Sequence, residues 1–348
     1  MEKKKLGVIF GGMSTENKVS VVSGTSVLKN LNKEKYDLYP IFISEDGKWF
    51  EYEESDEKID LDSKANIKDE ITNVCGYLKN LDVVFPVLHG LYGEDGTIQG
   101  LLELLKIPYV GCRVLASSVG MDKVYSKIIF SRAGLEQAPY IYIRKYNEKY
   151  IYISKNFEEQ VMELSEITEK ALQVLKFPIF VKPSNSGSSV GVKKATNAEE
   201  LKKCIEYAAN YDNKILLEQG IDAREIECAV LGNEDVIASC TGEVLPAEEF
   251  YSFDAKYKNA ESRTLIPADI SKKQEEEIRK LAVKAFKAID GKGLSRVDFF
   301  IERGTNKIYI NEINTLPGFT SISMYPKLFN EVGIKYSELL DRAIELAF

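Results

Sequence analysis

The sequence predicts an α/β fold of two or three domains, and three observations carry that expectation. Residues 6–10 form a short apolar run that enters Gly11-Gly12-Met13-Ser14-Thr15-Glu16, after which Val19, Val22, Val27 and Leu28 mark a helical stripe. Strand, glycine turn and helix start, in that order, open an α/β domain. Residues 81–88 repeat the theme, with a strongly apolar strand, the glycine-rich loop HGLYGEDG, and a helix striped by Ile98, Leu101, Leu102 and Leu105. Thr97 is its expected cap. Residues 295–326 then read as two strands of period-2 alternation around a turn at Arg303-Gly304-Thr305-Asn306, a half-buried hairpin. A length of 348 residues sets the domain number and leaves ample chain for real cores.

Composition excludes several classes. A net charge of −8 argues against a general binder of nucleic acid or of membrane surfaces. The start MEKKKLGVIFGG reaches glycine before its apolar run is long enough for a secretory signal, and no stretch has the apolar length to span a bilayer. The five cysteines, Cys75, Cys112, Cys204, Cys228 and Cys240, are odd in number, scattered and without a CxxC pair. They suit reduced, mostly buried thiols in a cytoplasmic protein.

In chain order, the free N–H groups at the first glycine turn suit an anionic ligand. GxGxxG is absent, however, which disfavours a dinucleotide-dependent oxidoreductase. A strand is expected at 39–44, and the acidic, poorly periodic stretch 51–80 reads as a surface excursion with a helix near its end. His89, the single histidine, stands at a strand's C-terminal end before a glycine-rich loop, where α/β sheets place ligands. A structural role is its plainer reading. Met121-Asp122-Lys123 opens a helix that ends at Gly134, and a Tyr- and Lys-rich region follows.

The strand at 177–181 leads into Lys182-Pro-Ser-Asn-Ser-Gly-Ser-Ser-Val-Gly-Val, and the chain is expected to return as a strand through Val190 and Val192. That makes a glycine-serine flap and not a Walker A loop, which would enter a helix. Small residues let backbone N–H groups approach phosphate oxygens, serine hydroxyls add donors, and Lys182 and Lys123 supply positive charge. Strands follow at 214–218 and 225–230, with Glu218-Gln219-Gly220 placed to present a carboxylate and backbone to adenine and ribose. The run FYSFDAKY, 250–257, is aromatic and polar at once and reads as a covering loop tipped by Lys256 and Tyr257. Ile278, Leu281, Ala282, Ala285, Phe286 and Ile289 stripe a helix capped by Ser271 with Gln274 and stopped by Gly291. It and the last helix, from about residue 337, are scaffold.

The hairpin carries the chemistry. Arg296 and Asp298 share one face of the first strand, and Glu312 and Asn314 share one face of the second. A loop of odd length brings Asp298 opposite Glu312, whereas an even one sends them to opposite sides. Two carboxylates and an amide oxygen on one face repel unless a cation sits among them. Hard oxygen donors with neither His nor Cys nearby suit Mg²⁺ or Mn²⁺, ions that arrive with a nucleotide. The plainer reading is a solvated face with charge pairs. The loop NTLPGFTS directly follows the ligand strand, where a substrate would meet the metal.

Seven segments, GGMSTE, VLHGLYGEDGTIQG, GMDK, VKPSNSGSSVG, FDAKY, SRVDF and NEINTLPGFTSISMYP, together resemble in order the motifs of the D-alanine–D-alanine ligases of the ATP-grasp superfamily. The resemblance spans nearly the whole chain. It implies a three-domain fold: an N-terminal parallel-sheet α/β domain at 1–115, and α+β ATP-grasp domains at 116–220 and 221–348, the last with an omega loop. It further implies a cytoplasmic homodimer of cell-wall precursor synthesis that joins two D-alanines through an acyl phosphate.

Carried over by motif, the resemblance implies that Glu16, supported by Ser188 and Tyr257, holds the first D-alanine's ammonium, with His89 beside its carboxylate. Arg296 and the Gly318 N–H would stabilise the oxyanion. Ser323, the Met324 N–H and Lys256 would bind the second substrate's carboxylate. Asp298, Glu312 and Asn314 would hold two Mg²⁺ or Mn²⁺ ions. Lys123, Lys182, Ser189, Glu218 and Glu225 would contact ATP, and Phe250 would border its adenine pocket. Arg296→Ala is then expected to abolish turnover with little effect on folding. Ser252 departs from the aspartate common in that omega loop, and the N-terminal segment also resembles the D-Ala–D-Ser branch. A D-serine-accepting ligase is therefore the nearest alternative; another carboxylate–amine ligase and a nucleotide-binding protein without catalysis are the others.

Overall fold

The computed structural model describes residues 3–53, 66–245 and 263–348, and its strands form three sheets. The first contains β1 (Lys4–Gly11), β2 (Tyr36–Ile43), β3 (Trp49–Tyr52), β4 (Ile67–Glu70) and β5 (Val83–Pro86), in the order β4-β3-β2-β1-β5. β1 runs parallel to β2 and β5, as the strand–turn–helix opening predicts, and two short antiparallel strands extend the edge. Its helices are α1 (Asn17–Asn30), α2 (Val74–Leu78) and α3 (Thr97–Leu105). Next come α4 (Val114–Met121) and α5 (Lys123–Arg132).

The second sheet is antiparallel, ordered β10-β9-β11-β6-β7-β8: β6 (Tyr140–Tyr146), β7 (Lys149–Ile153), β8 (Glu159–Met162), β9 (Ile179–Pro183), β10 (Lys193–Ala195) and β11 (Lys214–Gln219). Helices α6 (Leu164–Leu172) and α7 (Ala198–Ala208) cover it over a core that includes Ile143, Val181, Ile205 and Leu217. The third sheet is antiparallel too, β14-β13-β12-β15-β16, with β12 (Ala223–Leu231), β13 (Ile237–Leu245), β14 (Arg263–Leu265), β15 (Leu294–Glu302) and β16 (Ile308–Asn314). It is joined by α8 (Lys272–Ala288), α9 (Met324–Glu331) and α10 (Tyr336–Glu345). Among the described residues no helix is long and apolar enough to cross a membrane.

One core is shared between the first sheet and the end of the chain. Phe85 on β5, Val27 and Leu28 on α1, Phe319, Phe329 on α9 and Leu339 on α10 belong to a single buried cluster. A second cluster packs Phe130 of α5 and Ala116 of α4 with Phe286 of α8 and Phe299 of β15. The loop after β16 is therefore pinned from below, and what it carries is fixed relative to β1 and β5.

Several local expectations are corrected. On α1 the buried face is Ser20, Val21, Gly24, Val27 and Leu28; Val19 is only half-buried and Val22 is exposed. Thr97 is the first residue of α3 and not its cap. Gly96 precedes it in a left-handed conformation, and the Asp95 carboxylate accepts the Thr97 and Tyr92 N–H groups. Val190 and Val192 precede the returning strand, which starts at Lys193. The Ser271–Gln274 capping box of α8 is present, but Asp290 takes the left-handed position after it (φ 61°) where Gly291 was expected to act.

The hairpin holds the most informative difference. Its turn is even, since the Glu302 N–H donates to the Lys307 carbonyl around four residues, a length expected to send Asp298 and Glu312 to opposite faces. They are nonetheless direct cross-strand partners, because β16 bulges between Ile310 (opposite Phe299) and Glu312 (opposite Asp298). The extra residue, Asn311, restores the parity that the turn removes. Ile308, Ile310 and Ile313 all reach the core as a result.

A Cβ on Gly24 would lie 2.6 Å from Phe10, so α1 rests directly on β1 there. Helix propensity alone predicts that Gly24→Ala gains about 1 kcal/mol, whereas the contact predicts a loss of about 1–3 kcal/mol. Chemical denaturation is expected to give a net loss, and a stabilised variant would contradict this packing.

Candidate active site

A cleft of about 790 Å³ opens where the three sheets meet, lined by β1–α1 and β5–α3 loop residues, the flap after β9, and strands β11, β12, β15 and β16. Glu16 stands at the N-terminus of α1 and is buried. The Ser188 hydroxyl, from the flap, donates to its carboxylate. Cβ atoms on Gly90 and Gly187 would come within 2.7 and 2.6 Å of the same carboxylate, so both glycines clear space for it. Ser188 and Ser189 sit at φ 47° and 60°, a region L-residues adopt at some cost. The flap is braced at its base. Lys123 donates to the Ser186 carbonyl at 2.5 Å, while Asp122 caps α5 and accepts from Ser184 (2.6 Å), Lys214 (2.5 Å) and Asn185 (3.2 Å).

His89 ends the β5 segment with its ring buried and Nε2 2.9 Å from the Ser23 hydroxyl. Burial holds the ring below the ordinary histidine range, with Glu16 opposing. Ser23 also accepts from the Phe319 N–H (3.4 Å), which ties His89 to the loop carrying Gly318. That loop rests on aromatic rings: Phe319 lies 5.5 Å from Phe85 and 5.4 Å from Tyr325, and the Tyr336 hydroxyl donates to the Phe319 carbonyl. Ser323 is the N-cap residue of α9, with its hydroxyl 2.8 Å from that of Thr320. The Ser323 side chain makes no capping hydrogen bond, and Met324 at the start of α9 lines the cleft.

The acidic cluster lies across β12, β15 and β16, with Asp298 opposite Glu227 on one side and Glu312 on the other. Arg296 lies among them. It donates to both Asp298 oxygens at 2.7 Å, and its Nε is 3.1 Å from Glu227. Burial opposes the guanidinium charge, but Asp298 and Glu227 outweigh it and raise Arg296 well above its usual range. The Asn314 amide is 3.0 Å from Asp298. Among the described residues no three His, Cys, Asp or Glu side chains gather as a metal site, and Arg296 occupies the middle of this one. Removing Arg296 would leave buried carboxylates without their counter-charge, which revises the expectation that Arg296→Ala spares folding.

On β11, Glu218 is clasped by two lysines, Lys127 in a close ion pair and Lys182 at 2.6 Å. Burial acts to raise its carboxyl, yet the two lysines outweigh burial and hold it down to about 2. Glu225 and Ser189 line the same cleft. Lys256, Tyr257 and Phe250 lie outside the described residues.

Sequence reasoning gave no role to Lys127, Glu227, Ser23, Asp122, Lys214 or Glu94. Two of them carried a signal, Lys127 four residues after Lys123 on one helix face and Glu227 two after Glu225 on one strand face. Glu94 lines the cleft and accepts the Gly90 N–H at 2.9 Å. Burial raises its carboxyl to about 8, with Glu16 adding to the rise and the Gly90 N–H opposing it. Folded Glu94 thus keeps a proton that the unfolded chain releases from about 4.5 upward, so stability falls as pH climbs from there to 8. The slope from one such group is at most about 1.4 kcal/mol per pH unit. Denaturation of Glu94→Gln across that range is expected to give a flatter profile than the wild-type chain, and an unchanged slope would contradict it.

The comparisons agree with this geometry. The family models for the D-ala D-ala ligase N-terminus and C-terminus match residues 5–112 and 129–345. A D-alanine–D-alanine ligase of Acetivibrio thermocellus is 50% identical over 99% of this chain and 96% of its own length. One of Clostridium acetobutylicum is 49% identical over 99% and 98%. Among solved structures, VanG D-Ala:D-Ser ligase from Enterococcus faecalis superposes with a TM-score of 0.85 at 34% identity, covering all of both chains. The D-alanine–D-alanine ligase from Coxiella burnetii gives 0.81 at 31%, covering 100% of this chain and 94% of its own. Architecture, cleft and full-length relatives converge: the chain belongs to the D-alanine–D-alanine ligase family, ATP-dependent carbon–nitrogen ligases.

Proposed function

We propose that this ligase joins D-alanine to D-alanine, for peptidoglycan precursor synthesis, with the residues gathered around the cleft in the roles that follow. The observation that carries the reading is the convergence of Glu16, His89, Ser188, Arg296, Glu312 and Ser323, from six separate segments, on one cleft. A carboxylate is a poor electrophile, so the γ-phosphoryl of ATP is first transferred to the carboxylate of one D-alanine. Glu16, oriented by Ser188 in its glycine cradle, holds that substrate's ammonium, with Tyr257 as a third support and His89 on the carboxylate side. Ser189, Lys123 and Lys182 attend the phosphates, Glu218 and Glu225 the nucleoside, and Phe250 the adenine border.

The second D-alanine's carboxylate is bound at the start of α9, whose N-cap residue is Ser323, by Ser323 and the Met324 N–H, with Lys256, where helix N-termini favour anions. Its amine attacks the acyl phosphate carbonyl. Arg296 and the Gly318 N–H stabilise the oxyanion of the resulting tetrahedral intermediate, and phosphate leaves with the proton that the amine gives up as the peptide bond forms. A closed cleft favours the amine over water. Asp298, Glu312 and Asn314 carry hard oxygen donors that would hold two Mg²⁺ or Mn²⁺ ions, and these would supply charge neutralisation for the transferred phosphoryl. A cytoplasmic homodimer completes the reading.

Phosphate release is the test, with ATP, Mg²⁺ and D-alanine, alone or with D-serine or D-lactate, and L-alanine as control. D-Ala–D-Ala identified by mass as the main product is expected. A dominant D-Ala–D-Ser product would move the chain to the D-serine branch, whose structural relative superposes well, and no D-alanine-dependent phosphate would overturn the reading.

A further inference from the structure

The two lysines on Glu218 occupy different stations. Lys182 meets one carboxylate oxygen from the cleft wall, whereas Lys127 meets the other from behind it, with its side chain 3% exposed and its ammonium 5.3 Å from the Tyr140 ring centre. Burying an ammonium is costly, and Lys182 alone would balance one carboxylate. The surroundings supply a reason for the second. Glu225 and Glu312 also act on Lys182 electrostatically, so the lysine that faces the cleft stands among acids. If Lys182 alone compensated Glu218, that pair would add no net charge to a lining in which acids and bases are mixed. Two lysines against one carboxylate leave a net single positive charge, and the Lys182 end of that cluster is the one facing the cleft.

We propose that Lys127 is a positioning residue for the nucleotide polyphosphate. From behind the wall it cancels the charge of Glu218, so that the Lys182 ammonium stays available to phosphate oxygens while Glu218 keeps its orientation. The inference rests on the ligase reading, in which ATP occupies this cleft. It goes beyond that reading by giving a function to a side chain that does not line the cleft.

A charge cycle tests it. Binding of ADP and of uncharged adenosine is measured by calorimetry at constant ionic strength and fixed Mg²⁺. The chains compared are the wild type, Lys127→Met, Glu218→Gln and the double variant. A lost adenine contact or a loosened fold weakens both ligands alike, so the readout is the ratio of the adenosine to the ADP dissociation constant. That ratio is expected to fall about tenfold in Lys127→Met. In the double variant, where the local charge is again that of the wild type, it is expected to return to within about threefold of the original. An unchanged ratio in Lys127→Met, or no recovery in the double variant, overturns the proposal. Should Lys127→Met not fold, Glu218→Gln decides alone: a raised ratio supports the proposal, and an unchanged or lowered one overturns it. A wild-type chain that binds neither ligand overturns the nucleotide reading and the inference with it, an outcome distinct from binding that ignores Lys127.

Discussion

Carboxylates on adjacent strands of one sheet face cannot stay charged and buried without a counter-cation, and the third sheet is arranged around that constraint. Glu227, Asp298 and Glu312 come from three neighbouring strands in direct register. Arg296 supplies the compensating charge with two contacts to Asp298 and one to Glu227. The bulge at Asn311 brings Glu312 into this group while its isoleucine neighbours stay in the core. Below the face, α8 and α5 bury Phe286, Phe299 and Phe130, so the charged side chains stand on a close-packed base. Core packing fixes where the charges are, and the charges fix what the cleft can hold.

The same logic, with a different device, applies across the cleft. Glu16 reaches the site because Gly90 and Gly187 leave room for it and because Ser188 meets it from the flap. The flap in turn is tied to α5 through Lys123 and through Asp122, which serves at once as helix cap and as partner of Lys214. Shared packing of Phe85, Phe319 and Tyr325 sets the distance between these two halves of the site. In the proposed roles, a substrate bridging them would be held by groups whose mutual placement is settled before it arrives, which is how positioning lowers a barrier.

Much of this was legible in the sequence, and the misses have physical causes. The apolar strands, the capping box of α8 and the flap followed from local rules, because each is decided by residues within a few positions of one another. The Tyr- and Lys-rich segment gave no clear pattern, yet it forms β6, β7 and β8, three neighbouring strands that close the sheet at the β8 edge and leave many polar residues exposed. Turn parity pointed the wrong way at the hairpin. The spacing of Ile308, Ile310 and Ile313, two and then three, was the available sign of the bulge. Lys127, Ser23 and Lys214 act through Glu218, Phe319 and Asp122, which lie 91, 296 and 92 residues away, and no local pattern announces such pairings.

Arg296 is the resident counter-ion of a carboxylate cluster that is proposed to take divalent cations. Thermal unfolding of Arg296→Ala and of the wild-type chain, each with and without Mg²⁺, tests it without relying on turnover. The account predicts a variant destabilised by about 3–5 kcal/mol in the absence of Mg²⁺ and rescued by the ion by a larger increment than the wild type gains. A variant as stable as the wild type, or one indifferent to Mg²⁺, would contradict it.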